Sequence, residues 1–102
     1  MSRRDDIHLL EWSSWIDFNR TNIDELPQSE GVYKLHASMK ILFIGNSRNL
    51  KQSLTQDLTN PCFTNNARFS YALTETADKV ILNLLDEYRN KHDGKLPLCM
   101  QH

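Results

Sequence analysis

The sequence predicts an α+β domain: a small, mostly antiparallel sheet of three strands flanked by helices, in the order β-β-α-β-α, behind an aromatic N-terminal segment. Three observations carry this prediction. Two runs rich in β-branched and aromatic residues, Gly31–His36 and Ile41–Ile44, stand either side of a short break, Ala37-Ser38-Met39-Lys40, as in a β-hairpin. Residues 68–73, Arg-Phe-Ser-Tyr-Ala-Leu, alternate polar and apolar, the period of a strand. Two later segments carry apolar residues at helical spacing, Leu50, Leu54 and Leu58 in one, and Val80, Ile81, Leu84, Leu85 and Tyr88 in the other.

The elements follow in chain order. Residues 5–25 hold Leu9, Leu10, Trp12, Trp15, Phe18 and Ile23. The three-residue steps from Trp12 to Trp15 to Phe18 put those rings on one side of a short helix or wrap. Such rings serve as a base-stacking platform or partner patch, or simply bury their area in the core. Leu26-Pro27-Gln28-Ser29-Glu30 reads as the loop into the first strand. Gly45 is expected to end the second strand, with Asn46 or Ser47 capping a helix that runs to Leu58. Residues 59–66, rich in Asn and holding Pro61, read as a loop. Phe69, Tyr71 and Leu73 are expected on one face of the third strand. Thr74 or Thr76 caps the last helix, Asp78 suits its first turn, and Glu87 and Lys91 form an i,i+4 pair. Gly94 stops that helix, and Leu96 and Leu98 in the extended tail are expected to tuck against the core. The division expected is one domain over residues 1–102, with an N-terminal extension over 1–26, a core over 27–92 and a tail over 93–102.

Composition narrows the function classes. At 102 residues, 39% hydrophobic and 25% charged, the chain has the profile of an ordinary globular domain. No run approaches the roughly 18 apolar residues of a membrane helix, and acids at Asp5 and Asp6 stand where a signal peptide would be apolar. Cys62 and Cys99 form no Cys-x-x-Cys motif and read as reduced thiols, with a cytoplasmic location expected. His8, His36, His92 and His102 lack metal-ligand spacing. The charge is uneven. Residues 1–30 carry three Arg against seven acids, a net −4, whereas residues 31–74 carry Lys34, Lys40, Arg48, Lys51 and Arg68 against Asp57 alone, a net +4. A basic excess of this kind suits a phosphate-facing surface or an ordinary solvated face.

Gly31-Val32-Tyr33, then nine residues, then Phe43-Ile44-Gly45, followed by Asn46-Ser47-Arg48-Asn49-Leu50, resembles the signature of the GIY-YIG nuclease superfamily. The resemblance spans roughly residues 26 to 92. It implies a hairpin-helix-strand-helix core and a phosphodiester-cleaving ancestry. In that family a tyrosine in each motif, an arginine on the following helix and one metal-anchoring glutamate carry the chemistry. Tyr33 fills the first position. Phe43 fills the second and lacks a hydroxyl. Ser53 stands where the arginine is expected; Arg48 lies five residues earlier, about 140° around a helix. Asn83 stands at the glutamate position and cannot hold a divalent cation alone. Asp86, i+3 from Asn83, is the nearest substitute.

Three of four catalytic groups are therefore substituted, and loss of one such charge group alone costs roughly 10²–10³ in rate. The resemblance then implies a catalytically degenerate domain that binds DNA or RNA weakly through Lys34, Arg48, Lys51 and Arg68, without a cofactor. One alternative is an active endonuclease using Mg²⁺ with Tyr33, Arg48 and Asp86. Another is a protein-interaction domain docking through Trp12 and Trp15. No membrane partner is expected.

Overall fold

A computed structural model describes residues 10–63 and 66–101. Arg3, Arg4, Asp5, Asp6, His8, Leu9, His102 and the Thr64-Asn65 part of the loop, singled out above, lie outside the described residues. The elements are β1 (Ile16–Asp17), α1 (Arg20–Asp24), β2 (Gly31–Ala37), β3 (Lys40–Ser47), α2 (Leu50–Asp57), β4 (Arg68–Leu73) and α3 (Ala77–Lys91), with 3₁₀ turns at Pro61–Phe63 and Leu98–Met100.

The class is α+β as expected, but the sheet has four strands rather than three, all antiparallel, in the order β1-β4-β2-β3. The added strand comes from the N-terminal segment, which is extended rather than helical. Ser13 donates its N–H to Tyr71 O at 2.8 Å, Ile16 and Asp17 pair with Phe69 and Arg68, and Phe18 donates to Ala67 O at 3.0 Å. These bonds satisfy the outer edge of β4, which would otherwise present unpaired backbone groups. The one-sided arrangement expected for Trp12, Trp15 and Phe18 forms only in part: Trp12 and Trp15 share a side, over Lys34 and His36, whereas strand alternation through Ile16 and Asp17 turns Phe18 to the other. Trp12 packs with the α3 layer and Phe18 with the α2 layer.

β2 and β3 form the hairpin over its whole length. Ala37 pairs with Lys40, leaving Ser38 and Met39 as a two-residue turn with φ of 53° and 64°, the doubly left-handed geometry whose twist suits a tight hairpin. The register shifts between Leu35 and His36, because Leu35 pairs with Phe43 and His36 with Ile41. Leu42 is the extra residue, and the bulge lets both Leu42 and Phe43 join the α2 layer while Ile41 and Ile44 join the other. An unbroken apolar run thus serves two faces. Gly45 does not end β3, which continues to Ser47.

α2 starts at Leu50, later than expected, because Asn49 is the N-cap: its side chain accepts the Gln52 N–H at 3.1 Å. Thr76 occupies the N-cap position of α3 without a side-chain cap. Glu30, distant in sequence, supplies it, accepting the Ala77 N–H on Oε2 at 3.1 Å. Asp93 and Gly94 adopt left-handed φ of 55° and 79°, and Gly94 N–H returns to Arg89 O at 2.8 Å, which closes α3 as its glycine suggested.

The sheet has an apolar layer on each side. Tyr33, Leu35, Leu42, Phe69, Leu50 and Leu54 form one under α2; Val32, Ile44, Ala72, Val80, Ile81 and Leu84 form the other under α3. Leu73, at the end of β4, is exposed, and so is Leu98, in place of the core contact expected of it; Pro97 is the buried residue of the tail. The tail returns to lie against β3 and joins Cys99 to Cys62 as a disulfide. That overturns the reading of two reduced thiols. A sequence separation of 37 says nothing about proximity once the tail folds back across the hairpin. Among the described residues, no helix is long and apolar enough to cross a membrane.

Candidate functional site

Tyr33 is the one motif residue that keeps the functional group expected of it. Strand alternation along β2 sends its ring to the α2 side, where it is 4% exposed. Its hydroxyl donates to Asp57 Oδ2 at 2.9 Å, at the last residue of α2. Burial, and then the charge and hydrogen bond of Asp57, push the hydroxyl's pKa far above its ordinary value. Asp57 is also shifted upward: burial raises its pKa, opposed by the bond from Tyr33. A phenol committed to a carboxylate and held this strongly protonated is poorly placed to attack phosphorus or to shuttle a proton.

The two motif strings assemble an aromatic layer. The Tyr33 ring lies 5.7 Å from Phe43, Phe43 lies 5.4 Å from Phe63, and Phe18 lies 6.3 Å from both Phe63 and Phe69, all spacings of favourable ring pairs. Gly45 makes this possible, since a Cβ there would collide with the Phe43 ring and sit 2.9 Å from Tyr33 Cζ. Gly31 has a similar role, as its Cβ would meet Ala72 O and, at 2.8 Å, Leu50 Cδ1. Both motif glycines are required by close approach, independently of any chemistry.

Beyond Phe43, only Ser53 of the other catalytic candidates shares the Tyr33 side of the sheet, one helical turn before Asp57. Ser53 lies on α2 and its Oγ is 2.6 Å from Ser47 Oγ, which also accepts the Asn49 N–H at 2.9 Å. Asn83 and Asp86 lie on α3, across the sheet from Tyr33, and Asp86 is exposed. Arg48 precedes α2 and borders a shallow recess with Glu75 and Asp78 at the start of α3. The residues present do not fit a divalent metal beside Tyr33. Asp57 is the carboxylate there and is already bound, and no group of three or more His, Cys, Asp or Glu converges among the described residues.

The candidate nucleic-acid contacts are divided as well. Lys51 lies on α2, next to Gln52 and Thr55 in a polar recess. Lys34 leaves β2 on the opposite side, with its ammonium 4.4 Å from the Trp12 ring centroid. Burial lowers its pKa, Glu87 counteracts this and Lys91 reinforces it. Arg68 pairs directly across from His36, so it shares the Lys34 face, and its Nε lies 3.1 Å from Asp17 Oδ1. Arg48 follows Ser47, the partner of Gly31. It is therefore about 20 Å along the strand direction from Arg68.

Two residues named above only for charge and spacing make contacts that the sequence reading did not foresee. One is the Asp57 carboxylate, whose place at the end of α2 could have been found from the seven-residue step Leu50–Asp57. The other is His36, whose ring centroid is 3.9 Å from that of Trp15 and whose Nε2 is buried without a hydrogen-bond partner. Burial, and then Arg68, lower the pKa of His36. No family model, curated protein or solved structure matches the chain.

Proposed function

We propose that this chain is a GIY-YIG-like domain without nuclease activity that binds nucleic acid weakly. The observation that carries the non-catalytic part is the Tyr33–Asp57 bond: the one retained catalytic group lies buried in an aromatic layer and is bound to a carboxylate. Asn83 lies on the helix that covers the other side of the sheet, apart from the Tyr33 layer. The active alternative with Tyr33, Arg48 and Asp86 requires three groups to meet that stand on separate surfaces. The paired antiparallel strands 31–37 and 40–47 agree with the motif resemblance, although any β-hairpin would share them.

Binding is supported by the +4 excess of residues 31–74. Because those cations are spread over two faces, few can touch one strand, which implies low affinity and a shallow dependence on salt. Of the Trp12 and Trp15 pair named for the protein-interaction alternative, Trp15 is 43% exposed while Trp12 packs against the α3 layer. A gel shift at low ionic strength, run in parallel with a nicking assay on supercoiled DNA in Mg²⁺ or Mn²⁺, tests the proposal. A retarded, intact substrate is expected. Nicking that disappears in Tyr33→Phe would overturn the non-catalytic reading, and absence of any shift would overturn the binding reading.

A further inference from the structure

On the α3 side of the sheet, the N-terminal segment and β2 alternate rings with cationic or imidazole groups. Trp12 lies over Lys34, and Trp15 over His36. Lys34 and His36 are two residues apart on one strand face, about 7 Å. Arg68 stands directly opposite His36 on β4. At the other end, Lys91 and Lys34 line one groove of about 120 Å³, together with Tyr88 and His92. These groups form a line across the face.

Resting on the nucleic-acid reading above, we infer that this line is a track for single-stranded nucleic acid, with Lys91, Lys34 and Arg68 meeting phosphates and the Trp15 indole stacking a base. Four observations support it. Lys34 makes no ion pair within 4.0 Å among the described residues and rests on the Trp12 ring, so a phosphate there displaces no carboxylate. Lys91 and Arg68 are paired to Glu87 and Asp17, but at 3.1 Å in both cases between side chains about half or more exposed. Such surface pairs are weak and give way to a competing anion. Trp15 is 43% exposed, leaving ring surface for a base, and stacking of this kind needs a base that is not already covered in a duplex. Beyond His36 and Arg68 the track opens into a recess of about 690 Å³ that also holds Asn19 and Asn66, room for a splayed nucleotide with amides to meet its polar edge.

The inference separates the four cations first named for binding. Lys34 and Arg68 belong to the track; Arg48 and Lys51 do not. The test is fluorescence anisotropy at low salt with labelled single-stranded and duplex oligonucleotides of the same sequence. Single strands should bind more tightly than duplex. Trp15→Ala should weaken single-strand binding by roughly 5- to 150-fold, the range seen for one stacked base, and Trp15→Phe should restore most of it. Lys34→Met should reduce the slope of log K against log salt by about 0.7. Arg48→Ala and Lys51→Ala should leave both unchanged. Equal affinity for duplex and single strand, or binding lost in Arg48→Ala and Lys51→Ala but kept in Trp15→Ala, would overturn the track while leaving nucleic-acid binding in place. Absence of binding to either form would overturn both, and would turn the exposed Trp15 face over to a protein partner.

Discussion

The hydroxyl of Tyr33 donates to Asp57 Oδ2 at 2.9 Å, joining the middle of the central strand to the end of the helix that covers it. A group that the motif resemblance marks for chemistry is held here as a packing contact. Removing the donor leaves a partly buried carboxylate without its bond, which costs about 1–3 kcal/mol. Tyr33→Phe should therefore lower the urea midpoint by that equivalent. An unchanged midpoint would mean that solvent already satisfies Asp57.

The same pair sets a pH dependence. Asp57 is raised above its ordinary value, so folding favours its protonated form. Its stabilising contribution is full below the ordinary carboxylate range and is lost as pH rises through the raised folded value. Asp57→Asn keeps an acceptor for Tyr33 and cannot ionise. The variant should gain stability relative to the parent chain as pH is raised from about 4 to about 7, as read by thermal unfolding across that range. A constant difference would show that Asp57 ionises freely.

Much of this architecture was legible in the sequence, because period and turn chemistry are local. The 31–36 and 41–44 runs, the 68–73 alternation and the apolar face of α3 all stand where their spacing put them. What was not legible depends on residues distant in sequence. β1 exists because the edge of β4 needs partners, and α3 is capped by Glu30, 47 residues before Ala77. The site suffered most. The motif resemblance selected Asn83, but only the two-layer arrangement shows which side of the sheet that helix covers. The Val32-Tyr33-Lys34 alternation did contain this information, since neighbouring strand residues face opposite layers.

The disulfide yields a third prediction. Cys62–Cys99 closes a loop over a separation of 37 residues, for which the chain-entropy relation gives about 4 kcal/mol of stabilisation, an upper figure for real proteins. The oxidised chain should weigh about two mass units less than its reduced form and unfold at higher denaturant. Cys62→Ser with Cys99→Ser should match the reduced chain. Two freely alkylated thiols in the untreated, air-oxidised protein would contradict the pairing.

Gly45 offers a test of packing apart from catalysis. Its Cβ would collide with Phe43 and crowd Tyr33, so Gly45→Ala should cost roughly 1–3 kcal/mol from overpacking. Gly45→Ala combined with Phe43→Leu should recover part of that loss, measured by chemical denaturation. No recovery would place the strain in the backbone instead.

Re-creating the expected charges addresses the central claim most directly. Ser53→Arg together with Asn83→Glu supplies the guanidinium and carboxylate of the resembled family, yet the two positions lie on helices covering opposite sides of the sheet. The measurement is conversion of supercoiled DNA to its nicked form by the double variant in Mg²⁺ and Mn²⁺, beside the parent chain. The account predicts no nicking by either protein. Nicking by the double variant that requires both substitutions and is lost with Tyr33→Phe would contradict it, by showing that the two layers bring these groups to one phosphate.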